Sequence, residues 1–256
     1  MAATGSVVLT TLEFDVAWER ERLPAPHVAL TVPSPGRTHT ERADIVHMAM
    51  ESLRGKGLAE GDRVIGDLAD LLALLANPTA AVDGWVWTDH QISALAVAAG
   101  NQGLLAVVDG AEVWLIPSRP TAIGEAAVSI AGEMPAGPGE SVSVPTDLLT
   151  AADVAAGGDP HALIMALESR GLPLIQAQLI AGMTAGMHTR GQFGVRRTVR
   201  GHGLTRADRV IAFHDTPRGR YLYLTRTATD GRSWSTLTPA DNPRIIAAVT
   251  ELLETG

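Results

Sequence analysis

Asp109-Gly110 stands between two apolar runs, Leu104–Val108 and Glu112–Ile116. Asp-Gly between such runs is the signature of a two-residue hairpin, because the turn needs positive φ where glycine has no steric penalty. The feature has a partner. Asp109-Gly110 is followed by Trp114, Pro117 and Ile123, and Asp230-Gly231 by Trp234, Pro239 and Ile245, with the same Pro-to-Ile spacing. Each set leads into a helix that closes its half of the chain. Two explanations fit: an internal duplication, or the general frequency of strand–Pro–helix junctions.

The order of elements agrees with two similar halves. Thr10 with Glu13, and Thr38 with Glu41, have capping-box spacing. They open a helix through Phe14 and Trp18, and a second with Ile45, Val46, Ala49, Met50 and Leu53 on one face, ending at Gly55. His27–Val32 reads as a short strand before the turn cluster Pro33–Gly36. Val64, Leu68, Leu71, Leu72 and Leu75 define a third helix, stopped by Asn77-Pro78. Strands follow over Val82–Thr88, Ile92–Ala99, Leu104–Val108 and Glu112–Ile116, then a helix from Pro120 to Ala131. The Pro/Gly-rich stretch Glu133–Glu140 reads as a linker.

The second half repeats helices, then strands. Helices are predicted over Thr146–Ala156, Pro160–Arg170 with Asp159 as cap, and Leu174–Met187. Strands are predicted over Gly191–Val199, Arg209–His214, Tyr221–Arg226 and Ser233–Leu237. A last helix, Pro243–Leu253, takes Asn242 as cap. The expected fold is α+β: a central antiparallel sheet flanked by two helical bundles, with pseudo-twofold duplicated halves. The halves are 1–132 and 141–256, joined by 133–140 in one compact domain.

Composition narrows the function. The 256 residues contain no cysteine, so disulfides and thiolate metal sites are excluded. The net charge of −8 argues against nucleic acid as the main partner. The N-terminus has neither the basic start nor the apolar core of a secretory signal. Gln91–Val108 and Gly171–Thr189 lack charged residues over about the length of a membrane span, but Gln, Gly, Asn and Pro173 divide them into shorter elements.

Enzyme motifs are missing. There is no P-loop, nucleophile elbow or zinc helix. Gly201-His202-Gly203 runs into Leu204-Thr205-Arg206 without a dinucleotide-binding context. His39 and His47 are two turns apart, too far to share an ion, and His161 and His188 suit surface or capping roles. No metal or cofactor is expected. Asp89-His90, between two strands, is either half of an acid–base pair in a hydrolase or a polar turn. The region from Met187 to Trp234 holds ten arginines against three aspartates. With Phe193, Phe213, Tyr221 and Tyr223 interleaved, the Arg-rich strands 188–232 are either a nucleic-acid surface or a half-buried sheet with a basic face. Arg218 and Arg220 lie at the hairpin loop Asp215–Gly219, where they grip a ligand or partner, or keep the hairpin soluble.

Three segments carry a family resemblance. They are Arg190-Gly191-Gln192-Phe193-Gly194, Asp215-Thr216-Pro217-Arg218-Gly219-Arg220-Tyr221-Leu222 and Thr238-Pro239-Ala240-Asp241. They resemble the C-terminal half of the EspG family, and Pro33–Thr38 followed by Glu41-Arg42 resembles its N-terminal segment. The resemblance implies a cytosolic, non-catalytic chaperone of actinobacterial type VII (ESX) secretion. It implies a client, the PPE subunit of a PE–PPE pair, held at the apolar tip of its helical bundle so that it stays soluble until export. It places client contacts in the loop after the second strand and in the C-terminal bundle. Here these are Thr88, Asp89, His90 and Gln91, a loop shorter than in better-known members, and Pro160–Met187, where Gln176, Gln178, Met183 and Met187 suit an adaptable contact. Ile175, Leu179, Met183 and Met187 fall on one stripe of the last helix, which also suits a core position.

Overall fold

The computed structural model describes residues 5–199 and 201–255. Met1–Thr4 of the N-terminus and Arg200 of the arginine-rich region lie outside the described residues. The chain forms an α+β fold around a large antiparallel sheet and divides into two compact units.

The first unit comprises residues 1–85, 89–130 and 195–206. Strand β1 (Val7–Thr10) leads into α1 (Thr11–Arg20), and α2 covers His39–Gly55. The ribbon of β2 (Ala59–Glu60) and β3 (Arg63–Val64) precedes α3 (Gly66–Ala76). Strands β4 (Ala80–Trp87), β5 (Gln91–Ala99), β6 (Gln102–Asp109) and β7 (Glu112–Ser118) follow, then α4 (Ile123–Val128). The order is β1-β7-β6-β5-β4-β9, where β9 is Thr189–Val199, entering this unit at Val195.

Both predicted capping boxes form. The Thr10 hydroxyl accepts from the Glu13 amide at 3.1 Å while the Glu13 carboxylate accepts from the Thr10 amide at 2.7 Å. Thr38 and Glu41 repeat the arrangement. Each box satisfies two amides that a helix start otherwise leaves unpaired. The Asp-Gly hairpin forms as the sequence requires: Asp109 pairs with Glu112, and Gly110 takes φ +56°. Leu9, Phe14, Leu53, Leu72, Val97, Leu104 and Leu115 belong to a continuous buried cluster in this unit.

The second unit comprises residues 86–88, 131–194 and 207–256. It contains β8 (Val142–Pro145) and three helices, α5 (Thr146–Ala156), α6 (Pro160–Glu168) and α7 (Leu174–Thr184). After β9 the hairpin strand β10 (Gly203–Arg206) pairs back on it within the first unit, and β11 (Ile211–Thr216), β12 (Gly219–Thr227) and β13 (Ser233–Pro239) follow. Helix α8 covers Asn242–Thr255. The order is β9-β11-β12-β13-β8. Val142, Val144, Tyr221 and Leu237 of the sheet pack with Ala152, Leu163, Leu167, Ile180 and Met183 of the helices.

Several expectations change. His27–Val32 is not a strand: Val28–Leu30 form one 3-10 turn, because His27 Nδ1 accepts from the Ala29 amide at 3.1 Å and closes the chain locally. Val64 belongs to β3, and the third helix starts at Gly66. The helix expected over Pro120–Ala131 is three short pieces, with α-helical geometry only in α4. The last helix is capped by Asp241, whose Oδ1 accepts from the Arg244 amide at 3.0 Å. Asn242, the expected cap, is buried and turns its side chain onto Gly132 and Arg220. Strands β1, β8 and β10 carry no sequence signal strong enough to announce them.

Candidate functional site

The site is built on the hairpin of β11 and β12. Thr216 pairs with Gly219, so the turn is only Pro217-Arg218, and Asp215 stands opposite Arg220. Gly219 adopts φ +131°, and a Cβ there would stand 2.6 Å from the backbone of Gly137, so no other residue fits. This approach lets residues 135–137 lie on β12: the Arg220 amide donates to Pro135 O at 2.9 Å and the Gly137 amide to Arg220 O at 3.1 Å.

Arg220 does not face solvent, as its place beside a turn suggests. Its side chain is 0 % exposed. Nε and Nη2 donate to the two Asp215 carboxylate oxygens at 2.7 and 2.9 Å. The remaining donors reach Ala131 O at 2.7 Å, Gly132 O at 3.0 Å and the Asn242 side chain. The guanidinium also lies 4.6 Å from the Phe213 ring centroid. A buried cation satisfied in this way is a latch holding 131–132, β11 and the start of α8 together, and it is closed to any external ligand. Arg218 is exposed, with its guanidinium beside Gly182 in the last turns of α7.

The register joins the family-motif segments. Arg190, Gly191, Gln192 and Phe193 pair with His214, Phe213, Ala212 and Ile211. Strand alternation then divides the sheet. Phe193 and Phe213 stack on one face at 5.8 Å, together with the Asp215–Arg220 pair. Arg190, Gln192, Ala212, His214, Tyr221, Tyr223 and Leu237 point to the other face, toward α5–α7. Gly194 continues β9 at the boundary of the unit.

Between that face and the helices lies a cavity of about 390 Å³. Its floor includes Trp87, Arg190, Gln192, Ala212 and His214, and its walls include Leu149, Leu163, Ile180 and Met187. His214 Nε2 donates to Met183 O at 2.9 Å, and the ring stacks on Tyr221. Burial holds its pKa below the usual histidine value, against the opposing effects of the Met183 carbonyl and Asp215. The Arg190 guanidinium lies over Trp87 at 5.8 Å.

The helical bundle carries the other unusual feature. Large apolar side chains stand in solvent on all three helices: Val154 is 77 % exposed, Met165 57 % and Ile175 69 %, with Leu174 beside it and Met187 beyond the end of α7. Of the residues expected to contact a client, Gln178 and Met187 are exposed and Gln176 half-buried. Met183 is 1 % exposed and packs inward, because the stripe it shares with Ile175 rotates from solvent into the core along α7. It therefore supports the surface without forming part of it. Val154 and Met165 carry no motif in the sequence. Their signal is a position outside the apolar helical period of α5 and α6.

The loop Thr88–His90 joins β4 to β5, which starts at Gln91. The His90 ring is held between Asp109, at 2.7 Å from Nε2, and Asp89, at 2.9 Å from Nδ1. Those bonds, that to Asp109 first, raise its pKa above the ordinary histidine value. With both ring nitrogens engaged by carboxylates, His90 is an exposed ion-pair bridge and not a base poised against a nucleophile.

Several arginines of the 188–232 region are engaged by other groups of the protein. Arg206 forks onto buried Asp83 at 2.8 and 3.2 Å. Arg209 and Arg226 share Glu251. Arg232 lies over Trp234, and Arg220 is inside the protein. Among the described residues no group of three His, Asp or Glu is placed to hold a metal ion, and no helix is long and apolar enough to cross a membrane.

Comparison with known proteins agrees with this geometry. No curated protein matches the sequence. A solved structure titled as the Mycobacterium tuberculosis type VII secretion system chaperone EspG5 in complex with a PE25–PPE41 dimer matches with a TM-score of 0.77. The sequences are 14 % identical over 98 % of this chain and 96 % of that one, which establishes a shared fold. The EspG family model matches residues 10–251, nearly the whole chain. The chain therefore belongs to the EspG family of type VII secretion chaperones.

Proposed function

We propose that the protein is a cytoplasmic type VII secretion chaperone that binds the apolar helical tip of a PE/PPE-like client and keeps it soluble and export-competent. The observation that carries this reading is the set of exposed apolar side chains on α5–α7, Val154, Met165, Leu174 and Ile175. An isolated exposed leucine needs no explanation, whereas several large apolar side chains exposed on one bundle support a partner-binding surface there. Membership of the EspG family supplies the class of partner, and the complex of EspG5 with PE25–PPE41 supplies a precedent. The contact residues proposed are Gln176, Gln178 and Met187 on the bundle, with the loop Thr88, Asp89, His90 and Gln91 as a second element. The mechanism is mass action. A chaperone that covers apolar client surface lowers the concentration of the aggregating form, with no bond made or broken.

The same reading takes 1–132 and 141–256 as duplicated halves with pseudo-twofold character, joined by 133–140. Its support is the repeated order of Asp-Gly turn, tryptophan, proline and closing helix.

The test is co-expression with each PE/PPE-like pair of the same genome. At least one pair should move from the insoluble to the soluble fraction and co-purify with the protein. If every pair remains insoluble, or dissolves equally well without it, the reading fails.

A further inference from the structure

The cavity under α5–α7 is larger than packing requires and is lined in an uneven way. Leu163, Ile180 and Leu237 are buried apolar residues on its walls and floor. Its volume of about 390 Å³ falls within the roughly 300–1,000 Å³ range of small-molecule sites. The cause is local. Ala212 is the smallest side chain on the helix-facing side of β11, opposite Gln192 on one flank and Tyr223 on the other. Helices α5 and α7 pack on β8 and β13, to one side of Ala212.

Polar groups meet this apolar space at few places. His214 uses Nε2–H to bind Met183 O, so its neutral ring presents Nδ1 as an acceptor only. Tyr223 is occupied by Ser235 at 2.6 Å, and the Thr184 hydroxyl donates to Ile180 O at 3.0 Å. Arg190 differs. It is exposed, its guanidinium stands 5.8 Å from the Trp87 ring centroid, and it forms no ion pair with a carboxylate among the described residues. A guanidinium without a carboxylate partner keeps its forked donors for a planar anion. Asp153, the acidic residue of the lining, stands on the α5 wall shared with a neighbouring cleft at Gly158–Pro160, whereas Arg190 lines this cavity and not that cleft.

We propose that this cavity binds a small amphiphilic carboxylate, its hydrocarbon body over Ala212 among Leu149, Leu163 and Ile180 and its carboxylate on the edge of Arg190. The inference does not depend on the client-binding reading: the two share Met187 at the cavity wall, whereas Arg190 and Ala212, which carry the inference, belong to the sheet side of the bundle.

The experiment is isothermal titration of the full chain with dodecanoate and, separately, with dodecyltrimethylammonium, both below their micellar concentrations. Dodecanoate is expected to saturate a single site and the cationic amphiphile to leave no saturable signal. Arg190→Gln should weaken dodecanoate by about tenfold or more, the scale of a lost charge-assisted pair. Ala212→Leu, which fills the floor, should abolish binding. If Ala212→Leu does not fold, Thr150→Trp occludes the mouth from an exposed position on α5 and carries the same expectation. The proposal is overturned if dodecanoate shows no saturable binding, if the cationic amphiphile binds as well or better, or if Arg190→Gln and the cavity-filling variant bind as the parent does. Because no client is present, failure here leaves the chaperone reading standing, and failure of co-expression leaves this site standing.

Discussion

At the scale of single residues, the molecule depends on a few buried polar groups. Arg220 and Asp215 are both nearly inaccessible, and Arg220 also serves two carbonyls and Asn242. Removing one member leaves the other charge buried and uncompensated, which costs about 3–5 kcal/mol. Arg220→Met should lower the unfolding free energy by that amount, measured by urea unfolding. Replacing an exposed arginine such as Arg218 should change it by less than about 0.5 kcal/mol. The histidines divide by sign. His214 and His27 have pKa values depressed by burial, so the folded state prefers them neutral. Their contribution is complete above the unfolded value of about 6.5 and is lost as pH falls below it. Urea midpoints should therefore drop between pH 7 and pH 5.5, and the drop should shrink in the double variant His27→Gln, His214→Gln. His90 runs the other way. Its raised pKa gives a contribution that is present at acid pH and lost as pH rises through the folded value. An NMR titration should place His90 above the ordinary histidine value, and Asp109→Asn should bring it down, because the Asp109 bond is the largest cause.

At the scale of elements, the decisive device is a backbone contact. Gly219 and Gly137 touch so closely that the segment 135–137 lies on β12 like an added strand. Gly219→Ala combines an unfavourable φ with a backbone clash, so it should cost several kcal/mol, well above the ~1 kcal/mol of an ordinary glycine replacement. Thermal melting against Gly110→Ala, where positive φ is strained but the space is open, separates the two effects. The sequence announces elements that carry their own local chemistry. The Thr10 and Thr38 boxes, the Asp159 cap and the Asp109-Gly110 turn are all legible, since each needs only neighbours in the chain. What is not legible is chemistry set by distant partners. β1 and β8 have four residues each and owe their pairing to β7 and β13. Arg220 reads as a surface charge because its acceptors lie up to 89 positions away in the chain. Asn242 is misread as a cap for the same reason: Gly132 O, 110 positions upstream, claims its amide. At the candidate site the motif segments of β9, β11 and β12 are visible as words in the sequence. The register that sets Ala212 between Gln192 and Tyr223, and so opens the cavity, is not.

At the scale of the whole molecule, stability and function separate, and that separation is what a mutation can test. Val154, Met165 and Ile175 contribute little to folding, because they are already largely in water. Changing Ile175 to Asp should leave the melting temperature within the small range of surface substitutions. Met183→Asp, one position in the same stripe but buried, should unfold the bundle, since it places an unpaired charge among apolar neighbours. A client helix seated on α5–α7 would bury Ile175, and a carboxylate there would be desolvated without a partner. An anchor residue of an interface contributes about 2 kcal/mol or more, so the client complex should weaken by about thirtyfold or beyond. Pull-down or titration of the purified complex measures this, with Val154→Asp and Met165→Asp mapping how far the surface extends. If Ile175→Asp retains its fold and still holds the client with unchanged affinity, then the exposed apolar face of α7 is not the docking surface. The search would then move to the Thr88–Gln91 loop, where His90 bridges Asp89 and Asp109.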